Sequence, residues 1–150
     1  MEDKIALNYE NILKYTRNSI EYLFVDKAEV IPGKMAEGVK LLSSQDWFFK
    51  VHFPGNPIMP GVLIMESIMT TGACILTTLP EKQDLSLLFN GCDHMRLYQS
   101  VRPGDILKTR VELISYKYGI AKFEGMAFVE NVKVCSMNFT LVAPDEVIHI

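Results

Sequence analysis

The chain has 150 residues, 49% apolar and 22% charged, with a formal net charge of −3 at pH 7, which suits one soluble globular domain with a real core. With that mild acidic balance, nothing points to the basic footprint of a nucleic-acid binder. The longest apolar run, Pro60–Leu79, is interrupted by Glu66 and by Ser and Thr, which argues against a membrane span.

The acidic, mixed start MEDKIALNYE is no secretory signal. Three distant cysteines, Cys74, Cys92 and Cys135, lack metal or CxxC spacing and point to reduced thiols in a cytoplasmic protein, with no metal site. Residues 1–18 have Ile5, Tyr9, Ile12 and Leu13 near helical spacing, which predicts a short N-terminal helix extension. An extended stretch follows over Ser19–Val30, then a turn at Pro32-Gly33 and a strand over Met35–Leu42. Ser43–Asp46 is turn-like, and the aromatic triplet Trp47-Phe48-Phe49 stands next, more in keeping with core than with a ligand surface.

From Pro60 the chain reads as one long helix, apolar on nearly every face and therefore buried, ending at Pro80. Strands follow over Ser86–Asn90 and His94–Tyr98, bent at Gly91-Cys92-Asp93, and then over Ile106–Tyr118, Ile120–Val129 and Val132–Val142. The turns between them are Pro103-Gly104-Asp105, Gly119 and Glu130-Asn131. No repeat or linker divides the chain, so 1–150 reads as a single α+β domain of antiparallel strands around one central helix.

The stretch His52–Ser67, HFPGNPIMPGVLIMES, stands apart. It sets a histidine before a Pro- and Gly-rich turn and places one carboxylate, Glu66, inside an apolar helix. A carboxylate in such a helix is rarely buried without a partner or a task. The pattern His-Phe-Pro-Gly-x-Pro-x-x-Pro-Gly-Val-Leu-Ile-x-Glu, complete from His52 to Glu66, resembles that of the FabZ- and FabA-type 3-hydroxyacyl-acyl carrier protein dehydratases. The likeness extends to Leu23-Phe24-Val25-Asp26, Pro32-Gly33-Lys34, Phe89-x-Gly91-x-Asp93, Val101-x-Pro103-Gly104-Asp105 and Gly119–Gly125.

The resemblance implies the hotdog fold, a curved antiparallel sheet wrapped around the long helix. It implies a homodimer, or a trimer of dimers, in which His52 of one subunit works with Glu66 of its neighbour. The substrate would be a (3R)-hydroxyacyl group on the phosphopantetheine arm of an acyl carrier protein, dehydrated to a trans-2-enoyl thioester with no cofactor, in fatty-acid or related lipid or polyketide biosynthesis. His52 would be the base at C2, since histidine titrates near working pH. Glu66 would be the acid at the C3 hydroxyl, kept protonated by apolar surroundings. Gly61 and Val62, in the first helical turn, would offer unpaired N–H groups to the thioester oxygen. Phe53, Leu88, Phe89, Met95 and Leu97 are candidates to line an acyl tunnel, or else serve the core. Arg96, Arg102 and Lys108 could meet an acidic carrier or simply form a solvated face. His94 and His149 read as surface residues.

Val51 stands in place of the glycine that usually precedes the histidine, and Ser67 and Thr70 depart from the Ala-Met-Ala-Gln that commonly follows the glutamate. These departures leave the substrate open and keep two rivals in view, a hotdog thioesterase and a non-catalytic acyl-binding subunit. The glutamate, as in the FabZ branch, favours dehydration without isomerisation.

Overall fold

Period-two alternation decides which face of each late strand is buried. Leu107, Thr109 and Val111 alternate with exposed neighbours, as do Ala121 and Phe123, while Met137, Phe139 and Leu141 alternate with half-buried ones. In the computed structural model, which describes residues 3–147, these belong to one seven-stranded antiparallel sheet. His149 lies outside the described residues. The strands are β1 (Ile5–Leu7), β2 (Lys27–Ile31), β3 (Met35–Leu41), β4 (Leu88–Leu97), β5 (Ile106–Lys117), β6 (Ile120–Val129) and β7 (Val132–Val142). Their order is β1-β2-β3-β5-β6-β7-β4. The helices are α1 (Leu13–Thr16), α2 (Trp47–Val51) and the long α3 (Gly61–Thr77).

α3 packs on the buried face of the sheet through small residues. A Cβ at Gly125 of β6 would meet Ile68 Cγ2 at 2.3 Å, and one at Gly72 of α3 would meet Phe139 Cζ at 2.8 Å. Three hydrogen bonds lock the approach. The Ser67 hydroxyl donates to the Phe24 carbonyl at 2.8 Å, the Thr71 and Thr109 hydroxyls share a bond of 2.7 Å, and the Gly33 amide donates to the Ile75 carbonyl at 2.8 Å. Ser67 is therefore a buried tie between α3 and the chain before β2.

Several expectations change. The N-terminal segment is not a helix over 1–18. Among the described residues it forms β1, paired Ile5↔Val30 and Leu7↔Ala28, and the single turn of α1. Asn8 breaks the run, its side-chain oxygen accepting from the Glu10 and Asn11 amides at 3.0 and 3.1 Å. The extended reading of Ser19–Val25 gives way to a 3-10 turn at Ile20–Tyr22. The aromatic triplet begins α2, with Phe48 and Phe49 buried and Trp47 about half exposed. Pro60, expected to start the long helix, stands just before it in an extended conformation. Bending at 91–93 takes the form of two register shifts in an otherwise continuous β4.

β4 closes one edge of the sheet, and its residues are exposed or at most half-buried along its whole length. Leu88, Phe89 and Leu97 stand exposed on it.

Candidate active site

His52 is fixed from both sides by backbone. α2 ends at it, its amide donating to the Phe48 carbonyl at 3.1 Å. The chain then makes a tight turn in which Phe53 and Asn56 exchange amide hydrogen bonds of 2.9 Å. Gly55 holds that turn at φ +77°, a conformation that favours glycine. The Ile58 amide returns to the His52 carbonyl at 2.9 Å, and His52 Nδ1 lies 2.8 Å from the Ile58 carbonyl. A carbonyl only accepts, so Nδ1 carries the hydrogen and Nε2 of the neutral ring is left as the basic nitrogen. Arg102 Nη1 secures the loop by donating to Asn56 Oδ1 at 3.0 Å and to the Pro57 carbonyl at 3.4 Å.

His52 opens into a cleft of about 310 Å³ with Ile58, Met59, Gly61, Ile64 and the run Leu97–Ser100. Gly61 is the first residue of α3, where amides lack helical acceptors and the helix dipole is positive. Leu97 Cδ1 lies 2.3 Å from where a Cβ at Gly61 would stand, so only glycine permits this approach. Val62, the other expected oxyanion donor, is 67% exposed and does not line the cleft.

Glu66 lies further along α3 in a different cleft of about 130 Å³ with Thr16, Asn18, Met69, Thr70, Ala73, Leu87, Phe89 and Leu141. Burial pushes its carboxyl up from the ordinary range, and the hydrogen bond from Thr70 to Oε1, at 3.3 Å, offsets this in part. Tyr22, itself raised by burial and then by the Glu66 charge, shares its electrostatic neighbourhood.

No residue lines both clefts, so His52 and Glu66 of one chain open into different clefts. Of the tunnel candidates, Phe53 stacks on His52 with ring centroids 3.9 Å apart, and Phe89 lines the Glu66 cleft. Leu97 lines the His52 cleft. Leu88 is exposed on β4, and Met95 packs against the core. Two larger hollows, of about 350 and 400 Å³, hold none of the expected site residues. Thr16, Asn18 and Tyr22 escaped the sequence reading because their place beside Glu66 is made by tertiary folding alone.

His94 is exposed and paired with Asp93 at 3.0 Å. The cysteines are free, and burial pushes the Cys74 thiol up to about 12 and that of Cys135 up to about 11, so both are inert at neutral pH. Among the described residues no group of three or more metal-ligating side chains converges, and no helix is long and apolar enough to cross a membrane.

Residues 20–138 match the family model of the FabA-like domain. A 3-hydroxyacyl-acyl-carrier-protein dehydratase FabZ from Moorella thermoacetica is 46% identical over 109 residues, covering 72% of this chain and 76% of that protein. Another from Chloroflexus aggregans is 39% identical over 140 residues, covering 93% and 97%. Among solved structures, the dehydratase heterocomplex ApeI:P from Xenorhabdus doucetiae superposes with a TM-score of 0.75 at 12% identity, covering 89% of this chain and 90% of that one. A likeness at that identity establishes the fold alone. It is the expected hotdog fold, with the sheet left open rather than closed into a barrel.

Proposed function

The chain belongs to the FabA-like family, and we propose that it dehydrates 3-hydroxyacyl groups carried by acyl carrier protein, with His52 as base and Glu66 as acid. His52 Nε2 takes a proton from C2. The amide of Gly61 at the α3 start, in the His52 cleft, offers a hydrogen bond to the thioester oxygen as charge builds there. Glu66, favoured in its neutral form by burial, gives its proton to the C3 hydroxyl, which leaves as water. The product is a 2-enoyl thioester, a step of fatty-acid biosynthesis. All the chemistry is proton transfer and charge stabilisation, which side chains and amides supply. We place the reaction in the cytoplasm, where free thiols such as these three stay reduced.

The observation that carries this reading is the separation of base and acid along β4. The His52 cleft reaches Leu97 at one end of the strand, and the Glu66 cleft reaches Phe89 near the other. A ten-residue edge strand with exposed Leu88, Phe89 and Leu97 invites a partner strand. If two copies pair antiparallel about a two-fold axis near Asp93, Leu97 of one falls opposite Phe89 of the other. Each His52 cleft then meets a Glu66 cleft of the second copy, and the shared site is complete. Arrangement into a trimer of dimers would leave this unit unchanged.

The test is turnover of a 3-hydroxyacyl thioester on acyl carrier protein by the native chain and by His52→Ala and Glu66→Gln. Enoyl product without free thiol, lost in both variants, supports the proposal. Thiol release without enoyl product identifies a thioesterase, and full dehydration by either variant overturns the assignment of that residue.

A further inference from the structure

The cleft beside Glu66 divides into two chemistries. Met69, Ala73, Leu87, Phe89 and Leu141 are apolar, whereas Thr16, Asn18 and Thr70 are polar, and of these Thr70 hydrogen-bonds Glu66 Oε1. The Thr16 hydroxyl oxygen is buried and has no hydrogen-bond partner, and it is the one such side-chain polar atom among the described residues. Buried hydroxyls are satisfied in folded proteins by protein or by an enclosed water. The cleft, at about 130 Å³, has room for one beside a substrate group. Thr16 closes α1, and both Thr16 and Asn18 precede the stretch 20–138 that matches the family. The polar wall of the acid's cleft thus comes largely from chain outside that match.

We propose that Thr16, with Asn18 and Thr70, forms a water site at Glu66 that receives the oxygen expelled from C3. The inference rests on Glu66 being the acid. His52 takes the C2 proton, and the electron pair of that C–H bond becomes the C2–C3 double bond. The C3–O bond breaks with its pair on oxygen, and the Glu66 proton completes a water molecule. That water stays beside the new carboxylate, hydrogen-bonded to Thr16. In the reverse direction the same water adds to C3 as Glu66 recovers a proton from it and C2 recovers one from His52. Thr16 touches the departing water and neither transfers a proton nor binds the thioester.

A held water returns to C3 more often before it exchanges with solvent. The substrate is a 3-hydroxyacyl thioester labelled with ¹⁸O in its hydroxyl, given to the full-length protein in unlabelled water. The readout is label lost from recovered substrate per enoyl formed. Thr16→Val keeps the shape and removes the hydroxyl. Its kcat should fall by about three- to tenfold with KM unchanged, the scale of one lost hydrogen bond. Its label loss per turnover should rise roughly twofold or more, and Thr16→Ser should restore both. Asn18→Ala carries the same label test should Thr16→Val not fold. Wild-type kcat and label loss in Thr16→Val, or a change in KM alone, overturns the water site. Full dehydration by Glu66→Gln overturns the acid assignment instead. An inactive Glu66→Gln beside a wild-type Thr16→Val removes the water site and leaves the acid in place.

Discussion

Glu66 sits where burial and one hydrogen bond pull its proton affinity in opposite directions, and burial dominates. Its folded-state affinity exceeds that of the unfolded chain, so folding takes up a proton between the ordinary carboxyl range and the raised one. The resulting stability is full below that window and declines as pH rises through it. Glu66→Gln has no charge to bury. It should therefore match the wild type in acid and melt higher near neutrality, as thermal unfolding across that range will read. The same substitution removes the proposed acid, so kcat should fall by about 10²- to 10⁴-fold. A residue that stabilises the fold when replaced but abolishes turnover is kept for chemistry. A wild-type melting curve at every pH would argue that the carboxylate is solvated enough to serve no such end.

The long helix owes its place to close contacts that side chains would spoil. Gly125→Ala would drive a methyl into Ile68 Cγ2, and Gly72→Ala would crowd Phe139 and Val111. Both sites are buried between α3 and the sheet, so each change should cost about 1–3 kcal/mol in denaturant unfolding, as overpacked cores do. At Gly61 the obstacle is the end of the exposed Leu97 side chain, which can swing away. Gly61→Ala should then cost little stability but displace Leu97 from the His52 cleft, so steady-state kinetics should show the defect and melting should not.

The helix and the residues proposed as base and acid were legible in the sequence because His52, the Pro-Gly turn and Glu66 lie in one local run governed by short-range geometry. The late strands were legible through their alternation. α2 was hidden because three successive aromatics have no period. β1 was hidden because Ile5, Tyr9 and Ile12 mimic helical spacing, although Asn8 interrupts them. Thr16 and Asn18 carry no local mark of their position beside Glu66.

At the scale of the whole molecule, a single chain leaves His52 and Glu66 in separate clefts and a long, partly apolar strand uncovered. The proposed pairing of a second copy on β4 would resolve both features. Sedimentation equilibrium should therefore give twice the 17.0 kDa chain mass or a multiple of it. A monomer at assay concentrations that retains turnover would contradict the shared site.

Subunit exchange between His52→Ala and Glu66→Gln is the most direct test of a site built from two chains. Each variant alone lacks one member in every site. In a randomly exchanged mixture half of the dimers are mixed, and each mixed dimer holds one site with both His52 and Glu66 intact. Activity should return to about a quarter of the wild-type value, from two preparations that are each inactive. A mixture that exchanges subunits and stays inactive would show that His52 and Glu66 serve within one chain or do not work together.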